Sequence, residues 1–216
     1  MHHQLEAEIG KYFSARHVAG LVSKHHESYG RAALHYSPED GWDAQMFGFA
    51  VYKYTVKRLR DLVAHPELGF ELRPTNMAFR IGLGPFTLAP YRCGQSADED
   101  INESFPSNEN GALTLAEANQ LALDLHYSEP VIPRAMVLAH FGNPLTGLEA
   151  LYLAVPSSMS DTRIDGWGYT RLLWRRDAGE ERPQGSIDLP RPAPIAPAPL
   201  SLKIDIAKTA GDVGSA

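Results

Sequence analysis

Histidine is the residue type in this chain that most directly suggests chemistry. Seven of the nine histidines lie in the first 65 residues, and His25 and His26 are adjacent and followed by a glutamate. A metalloprotease site needs two histidines four residues apart on one helix face, with a glutamate after the first, so this triplet does not match. Zinc ligands should also recur at recognised spacings, and none does. We therefore predict no bound metal and no cofactor, and we expect structural or solvated histidines.

The candidate nucleophiles do not form a recognised motif either. Cys93 is the single cysteine, which excludes an internal disulfide and a thiolate zinc cluster. Its neighbour Arg92 could lower the pKa of the thiol, although a lone cysteine is more often inert. The Gly-x-Ser-x-Gly pattern of serine hydrolases is missing. Residues 82–85, Gly-Leu-Gly-Pro, resemble half of a phosphate-binding loop, but without a following lysine or helix they predict a hairpin turn.

An acidic stretch lies in the long segment 93–111. Asp98 and its two acidic neighbours could supply oxygen ligands to a divalent cation, but the ligand spacing of an EF-hand is lacking. Segments of this length without a strong pattern are functional or mobile in compact domains. One alternative function is therefore an enzyme, a hydrolase or a nucleotide-processing activity, whose scattered histidine, arginine and acidic residues gather near this segment. A pocket that joins Arg92, His126 or Asp98 with a shifted pKa would support it.

Two groups of basic residues could bind phosphate or an acidic partner. The first has steps of four and three, which places it on one side of a predicted helix: Lys53, Lys57 and Arg60. The second lies in a predicted strand beside an aromatic residue: Arg171, Arg175 and Trp174. Nucleic-acid binders and protein interfaces both use such combinations. A nucleic-acid-associated function requires all five cations on one face, and the net charge of −6 disfavours it because affinity for phosphate depends on clustered cations.

The element that would carry the first basic group has the most regular pattern in the chain. Apolar residues recur there at steps of 4, 3, 3, 4, 3 and 4, the spacing of one helix face: Trp42, Met46, Phe49, Tyr52, Val56, Leu59 and Val63. Ser37 and Pro38 are typical of a helix start, and Pro66 stops the helix. We predict one continuous helix over about 38–64 whose apolar stripe packs against a sheet.

The remaining elements are predicted from weaker patterns. A helix is expected from about residue 4 to 24, either continuous or in two pieces. Residues 25–36 are expected to form a connection, with or without a single turn of helix. A capping box at Thr114 and Glu117 predicts a second covering helix over about 114–126. Short apolar runs between glycines and prolines predict strands: 70–73, 77–83, 86–92, 134–141, 148–155 and 167–175.

Together these elements predict an α+β fold. An antiparallel sheet of five or six strands is covered by the long helix and by the shorter one. The last three strands are apolar at nearly every position, which is typical of central strands that are covered on both faces. We expect residues 1–176 to form a single globular domain, because a folded part of about 180 residues is typical of one domain. Two closely packed halves are also compatible with that length.

The composition changes at residue 177. Six prolines lie in residues 183–199, and no core-forming pattern continues beyond them, so we predict a flexible, disordered proline-rich tail over 177–216. Within it, segment 200–206 alternates apolar and polar residues, and its apolar side consists of Leu200, Leu202, Ile204 and Ile206. Such a segment typically docks onto a partner protein, in an aromatic groove or as an added strand. It could equally fold back onto the sheet of its own chain, and the sequence leaves both possibilities open.

The sequence as a whole favours a binding function over catalysis. The chain lacks a run of about 18 apolar residues that would span a membrane, and its N-terminus lacks the apolar core of a secretory signal, so we expect a cytoplasmic protein. Because each catalytic signature is missing, we predict a small binding or regulatory protein that acts through protein contacts and without a cofactor. An enzyme and a nucleic-acid-associated protein remain the alternatives. Partner contacts are predicted on the tail motif and on both basic groups.

Overall fold

The computed structural model of the protein describes four stretches of the chain, residues 2–73, 79–103, 134–160 and 163–176. All of them fall within one unit that spans Met1–Glu180. The helix predicted over 114–126 lies outside these stretches. The tail predicted from residue 177 also lies outside them, together with its candidate partner-binding side chains Leu200, Leu202, Ile204 and Ile206. The division into a domain and a tail therefore stays a prediction.

Two helices form the N-terminal part of the chain. Helix α1 spans His2–Tyr12 and helix α2 spans Ala15–Leu34. Ser14 caps α2: its hydroxyl accepts a hydrogen bond from the backbone N–H of His17, and the His17 ring accepts one from the backbone N–H of Ser14. This reciprocal cap satisfies amides that have no partner within the helix. The sequence left open whether this region is one continuous helix or two pieces, and the structure confirms two pieces.

Helix α2 continues through residues 25–34, where the sequence predicts a connection, so that prediction is wrong. Gly30 lies on the exposed side of the helix, whereas His25, Ser28 and Tyr29 are buried. Burial of one face stabilises a helix more than a single glycine destabilises it, since one glycine costs only about 1 kcal/mol relative to alanine. Because several residues on the buried face of α2 are polar, apolar periodicity alone does not detect this part of the helix.

Helix α3 spans Ala44–Val63 and starts later than predicted. Pro38–Asp40 instead forms a separate 3₁₀ turn that ends at Gly41, where φ is +84°. This left-handed conformation favours glycine and interrupts the helix. Asp43 is the actual cap, because its carboxylate accepts a hydrogen bond of 2.8 Å from the backbone N–H three residues later. The predicted cap at Ser37 is therefore wrong.

The apolar stripe predicted for α3 is wrong over the first half of the helix. The side chains that face the core recur at steps of four and three: Phe47, Val51, Thr55, Leu59 and Leu62. Met46, Phe49 and Tyr52 are exposed instead, with 48%, 63% and 37% of their surface accessible. Both sets have helical spacing, so the period alone does not select the buried face. A threonine in the buried set makes that set look less apolar than it is.

The sheet contains six strands in the order β1-β2-β3-β4-β5-β6. Their bounds are Phe70–Leu72, Ile81–Leu83, Phe86–Gly94, Ala135–Asn143, Gly147–Ser160 and Arg163–Arg175. Neighbours pair antiparallel with one exception, the parallel pair β3 and β4, in which Thr87 lies opposite Ala135. A parallel pair needs a long crossover connection, and the segment between β3 and β4 is long enough to provide it. The α+β class is confirmed, and the fully antiparallel sheet is corrected to a mixed one.

Two turns that contain a glycine with positive φ connect neighbouring strands. Gly84, with φ of +56°, turns the chain between β2 and β3, which confirms a hairpin in place of a phosphate loop. Between β4 and β5, Gly147 has φ of +81°, and the Asn143 side chain accepts hydrogen bonds from the backbone N–H groups of Leu145 and Thr146. Local chemistry fixes both turns, because glycine tolerates positive φ and asparagine caps its own turn.

The sheet is buried on both faces along β4. One face packs against the helices through large side chains: Leu88, Met136, Leu138 and Leu153, with Leu21 of α2 and Leu59 of α3. The other face carries mostly small side chains: Ala89, Val137, Ala139, Phe141, Ala150 and Ala154. The prediction of central strands covered on both faces is confirmed for β4 and β5. It is wrong for β6, which ends the described sheet and exposes Thr170, Leu172 and Arg175.

The orientation of α3 predicts opposite effects for two nearby phenylalanines. Phe47 is fully buried and Phe49 is 63% exposed. We expect Phe47→Ala to lower the free energy of unfolding by about 3–5 kcal/mol, because it removes core contacts and leaves a cavity. Phe49→Ala, the matched control, should change it by less than about 0.5 kcal/mol. Urea denaturation measures both values, and a larger loss for Phe49→Ala would show that α3 is turned the other way.

Candidate functional site

The exposed side of α3 combines apolar and basic side chains. We define the outer face of α3 as the residues that recur at steps of three and four opposite its buried face: Met46, Phe49, Lys53, Lys57 and Arg60, with Tyr52 at the margin. The Lys53 ammonium lies 5.0 Å from the centre of the Phe49 ring, which is close enough for a cation–π contact. This contact orients Phe49 and still leaves most of its ring accessible to a partner.

The lysines of the outer face are available for binding. Lys53 and Lys57 are exposed, and no carboxylate of the described residues lies within ion-pair distance of either. Arg60, one turn further, lies 5.6 Å from the centre of the Phe79 ring. The structure thus brings the three predicted cations onto one surface, and it adds an exposed aromatic ring beside them.

Arg58, which is close to these cations in sequence, serves the packing of the helices instead. Its guanidinium lies 3.2 Å from Glu27 of α2 and 3.1 Å from Asp61 of α3, and Lys24 lies 2.7 Å from the same glutamate. Partly exposed ion pairs contribute at most about 1 kcal/mol each. Their main effect is to fix which turns of α2 and α3 lie side by side.

The second basic group lies at the other end of the sheet. Arg175 is 2.9 Å from Asp98, and Trp174 packs edge-on against His26 of α2 with 4.4 Å between the ring centres. Arg171 borders a groove between α2 and β6. Helix α3 contacts β1 and β3, whereas α2 contacts β4, β5 and β6. The structure therefore does not bring the two basic groups together.

The groove between the first half of α2 and β6 is open and mainly apolar, with a volume of about 610 Å³. Its walls consist of Phe13, Ala15, Val18, Ala19, Val22 and Ser23 on one side, and of Arg171, Leu173 and Trp174 on the other. The volume is within the range of about 300–1,000 Å³ that ligand pockets occupy. Walls with so few polar groups suit apolar side chains better than a polar metabolite.

A buried polar cluster connects α2 to the sheet. His25 and Tyr29 of α2 and His140 of β4 are almost completely buried. The Tyr29 hydroxyl and His140 Nδ1 form a hydrogen bond of 2.9 Å. His25 Nδ1 donates to the carbonyl oxygen of Leu21 at 2.7 Å, and the two imidazole rings lie 5.2 Å apart. None of these three side chains lines the groove beside β6.

Burial keeps this cluster uncharged at neutral pH. It lowers the pKa of His25 to about 4, lowers the pKa of His140 well below its ordinary value, and raises the pKa of Tyr29. Arg92 of β3, whose guanidinium donates to the carbonyl oxygen of Gly142 at 2.9 Å, further disfavours a positive charge on His140. General acid–base catalysis requires contact with a substrate, so a neutral cluster without solvent access is a packing device.

The acidic residues after β3 stabilise their own loop. Glu99 accepts hydrogen bonds from the backbone N–H groups of Gln95 and Ser96, and Asp98 pairs with an arginine of β6. In the four described stretches, no three His, Cys, Asp or Glu side chains are placed to hold a metal ion. His126, which the enzyme alternative would add to this loop, lies outside those stretches.

The thiol of Cys93 is not activated. Burial, with a smaller effect from Glu99, raises the pKa of this thiol to about 12. Arg92 does not lower the pKa of this thiol, because its guanidinium donates to the carbonyl oxygen of Gly142 on β4. A protonated thiol is a poor nucleophile, so this position does not support the enzyme alternative.

Sequence reasoning missed the buried polar cluster, although two signals for it exist. The buried residues of α2 recur at helical spacing once polar residues are counted with apolar ones: Leu21, His25, Ser28, Tyr29 and Ala32. His140 interrupts the otherwise apolar run of β4, and a buried polar side chain needs a hydrogen-bond partner. Neither signal identifies the hydrogen-bond partner of His140, because Tyr29 and His140 lie on elements that are far apart in the chain.

Removal of the Tyr29 hydroxyl should show how much its hydrogen bond to His140 contributes to the free energy of unfolding. Tyr29→Phe keeps the ring and leaves His140 Nδ1 buried without its partner, so we expect it to lower the free energy of unfolding by about 1–3 kcal/mol. Tyr52→Phe, which removes a hydroxyl from an exposed ring, is the matched control and should be neutral. Guanidinium denaturation compares the two, and a neutral Tyr29→Phe would contradict the buried bond.

The cluster also predicts how stability depends on pH. Native His25 and His140 resist protonation, whereas in the unfolded chain both bind protons below the ordinary pKa of 6.5. Stability should therefore fall as the pH decreases from about 6.5 toward 4, by up to about 1.4 kcal/mol per pH unit for each histidine. His25→Phe should make this slope shallower, and the exposed control His3→Phe should not. Equal slopes of unfolding free energy in all three proteins would contradict the prediction.

Comparisons with known proteins do not add to these observations. No protein-family model matches the chain, and searches of curated proteins and of solved structures gave no match. Within the described stretches, every helix is too short or too polar to cross a membrane. The features that bear on function are therefore the outer face of α3 and the groove beside β6.

Proposed function

We propose that the protein is a small cytoplasmic binding or regulatory protein that recognises an acidic, amphipathic protein partner through the outer face of α3. It acts through protein contacts and needs no cofactor. The observation that carries this proposal is the exposure of Phe49 on a helix whose opposite side is buried, next to Lys53 and Lys57, which lack an acidic partner within the described residues.

The apolar part of the outer face is suited to the centre of an interface. Single exposed apolar residues are normal on protein surfaces, but Met46, Phe49 and Tyr52 follow one another at steps of three and are all exposed. Methionine and aromatic residues are enriched in interfaces, and full burial of one large apolar side chain contributes about 1.5–3 kcal/mol. An amphipathic helix of the partner could lay its own apolar side along α3.

The basic part of the outer face selects the charge of the partner. Lys53 and Lys57 continue the surface toward the end of α3, and Arg60 follows. Cations at the edge of an interface speed the encounter with an acidic partner and disfavour basic competitors. The same cations would attract nucleic acid, but the exposed apolar side chains beside them favour a protein.

The core behind α3 holds the outer face in a fixed shape. Phe47, Val51 and Leu59, on the opposite side of the helix, are fully buried. The outer face is therefore presented on a helix that does not have to form when the partner arrives. A preorganised surface loses less conformational entropy on binding, which improves affinity without additional contacts.

Photocrosslinking tests which surface meets the partner. Benzoylphenylalanine introduced at Phe49 of the full-length protein should cross-link a protein in a cell extract, and mass spectrometry then identifies it. The same residue introduced at Leu145, an exposed apolar position in the turn between β4 and β5, is the control and should not capture that protein. Capture that a nuclease abolishes would favour nucleic acid instead.

Substitutions on the outer face should weaken the binding of that purified partner. Phe49→Ser should reduce the affinity at least about tenfold, or about 1.4 kcal/mol, because it removes a central aromatic contact. Lys53→Glu should weaken binding more at low salt than at high salt, since ions screen exposed charges. Leu145→Ser and Arg31→Glu, at exposed positions elsewhere, are the matched controls. Calorimetric titration measures the affinities, and unchanged values for both outer-face variants would contradict the proposal.

A further inference from the structure

The groove between α2 and β6 has a charged end and an apolar end. Strand β6 contributes Arg171 and Trp174 to its wall. The Tyr169 hydroxyl of β6 bonds to Glu6 of α1 at 3.1 Å, whereas Trp174 packs against His26 in the second half of α2. Helix α2 and strand β6 therefore run in the same direction along the groove. The start of α2 lies at the Arg171 end, and the middle of α2 lies at the Trp174 end.

A β-bulge allows both side chains to face the groove. The pairing of β6 with β5 shifts register between Leu172 and Trp174, so Leu173 has no residue opposite it. Side chains three residues apart on a regular strand point to opposite faces, and the extra residue of a bulge reverses that alternation. Arg171 and Trp174 therefore line the same wall. Bulges are frequent next to functional sites, where they redirect a side chain in this way.

The guanidinium of Arg171 brings a positive charge to the groove. No carboxylate of the described residues lies within ion-pair distance of it. The guanidinium donates to the Tyr169 hydroxyl, and because it has five N–H donors, this bond orients Arg171 and leaves donors for a ligand. Ala15, the first residue of α2, lies in the opposite wall, and the start of a helix carries partial positive charge. This end of the groove is therefore suited to an anion.

We propose that the groove binds a small molecule with an apolar chain and one terminal carboxylate, such as a medium-chain fatty acid. The carboxylate accepts hydrogen bonds from Arg171, and the chain lies along Val18 and Val22 toward Trp174. One guanidinium matches the single negative charge of a carboxylate and can bond both of its oxygens. A phosphate monoester carries about 1.5 to 2 negative charges, which a single arginine compensates less well.

The length of the groove fits such a ligand. Arg171 and Trp174 are three residues apart in β6, which corresponds to about 10 Å at about 3.3 Å per residue. Ala15 and Val22 on the opposite wall are seven residues apart, which also corresponds to about 10 Å at about 1.5 Å per residue of helix. A medium-length alkyl chain reaches this far, whereas an extended peptide would place only about three residues in the groove.

Fluorine NMR of the full-length protein labelled with 5-fluorotryptophan tests this binding. The chain has three tryptophans, and Trp174 lines the groove, while Trp42 lies before α3. A Trp174→Phe variant assigns the reporting resonance. We expect sodium decanoate, added below the concentration at which it forms micelles, to shift the Trp174 resonance to a plateau and to leave the Trp42 resonance unchanged.

Two changes test the charged end by removing one partner at a time. Decanol keeps the chain and lacks the carboxylate, so we expect it to bind at least about tenfold more weakly, because the hydrogen bond between charged groups is lost. Arg171→Gln should weaken the binding of decanoate by a similar factor and should leave the binding of decanol unchanged. Arg175→Gln is the matched control, since this arginine of the same strand pairs with Asp98 outside the groove.

Chain length and a filled groove test the apolar part. Each additional methylene group that is buried should tighten binding about fourfold, so octanoate should bind about 15-fold more weakly than decanoate. Ala19→Phe places a ring in the groove and should abolish the shift of the Trp174 resonance by decanoate. Ala7→Phe, at an exposed alanine of α1, is the matched control. An unchanged Trp42 resonance shows that each variant is folded.

Four results would overturn the proposal. The first is a Trp174 resonance that does not respond to decanoate. The second is an equal affinity for decanoate in the unmodified and Arg171→Gln proteins, and the third is tighter binding of decyl phosphate than of decanoate. The fourth is a joint movement of the Trp42 and Trp174 resonances without a plateau, which indicates a detergent effect. None of these results affects the proposed function, which depends on Phe49 at a different surface.

Discussion

Burial of one particular side of α3 is the constraint on which the rest of the structure depends. When Phe47 and Leu59 enter the core, helical geometry directs Phe49 and Lys53 to solvent on the opposite side. Phe47 also contacts the ring of Tyr29, with 6.1 Å between the ring centres. A rotation of α3 would therefore disturb the polar cluster as well as the core, and it would remove the outer face.

The polar cluster gives the packing of α2 a direction that apolar contacts lack. Hydrophobic burial is non-directional, whereas the hydrogen bond between Tyr29 and His140 specifies which turn of α2 lies over β4. The parallel pairing of β3 with β4 places Arg92 opposite His140, so the cluster unites one helix with two strands. Its chemistry positions these elements, and the surfaces that remain for binding are the outer face of α3 and the groove beside β6.

Local chemistry made part of the fold predictable, and long-range geometry could not be predicted. The turns at Gly84 and Gly147 follow from residue type, and the apolar runs of β4 and β5 indicate burial on both faces. The buried side of α3 could not be predicted from the sequence, because two interleaved sets of residues share the same helical period. The set that is buried contains the polar residue Thr55. For this reason the cations of the candidate site were predicted, while Phe49 beside them was assigned to the core. The parallel pairing of β3 and β4 depends on the path of the chain between them, which neither strand encodes.

Hydroxyl-radical footprinting of the native full-length protein, read by mass spectrometry, tests the orientation of α3 most directly. The oxidation of each side chain reports its access to solvent, and the chain offers two matched pairs: Phe49 against the buried Phe47, and Met46 against the buried Met136. We expect oxidation of Phe49 and Met46 in the native protein, and oxidation of Phe47 and Met136 only after denaturation. Oxidation of Phe47 together with protection of Phe49 would contradict this orientation and would remove the proposed docking surface.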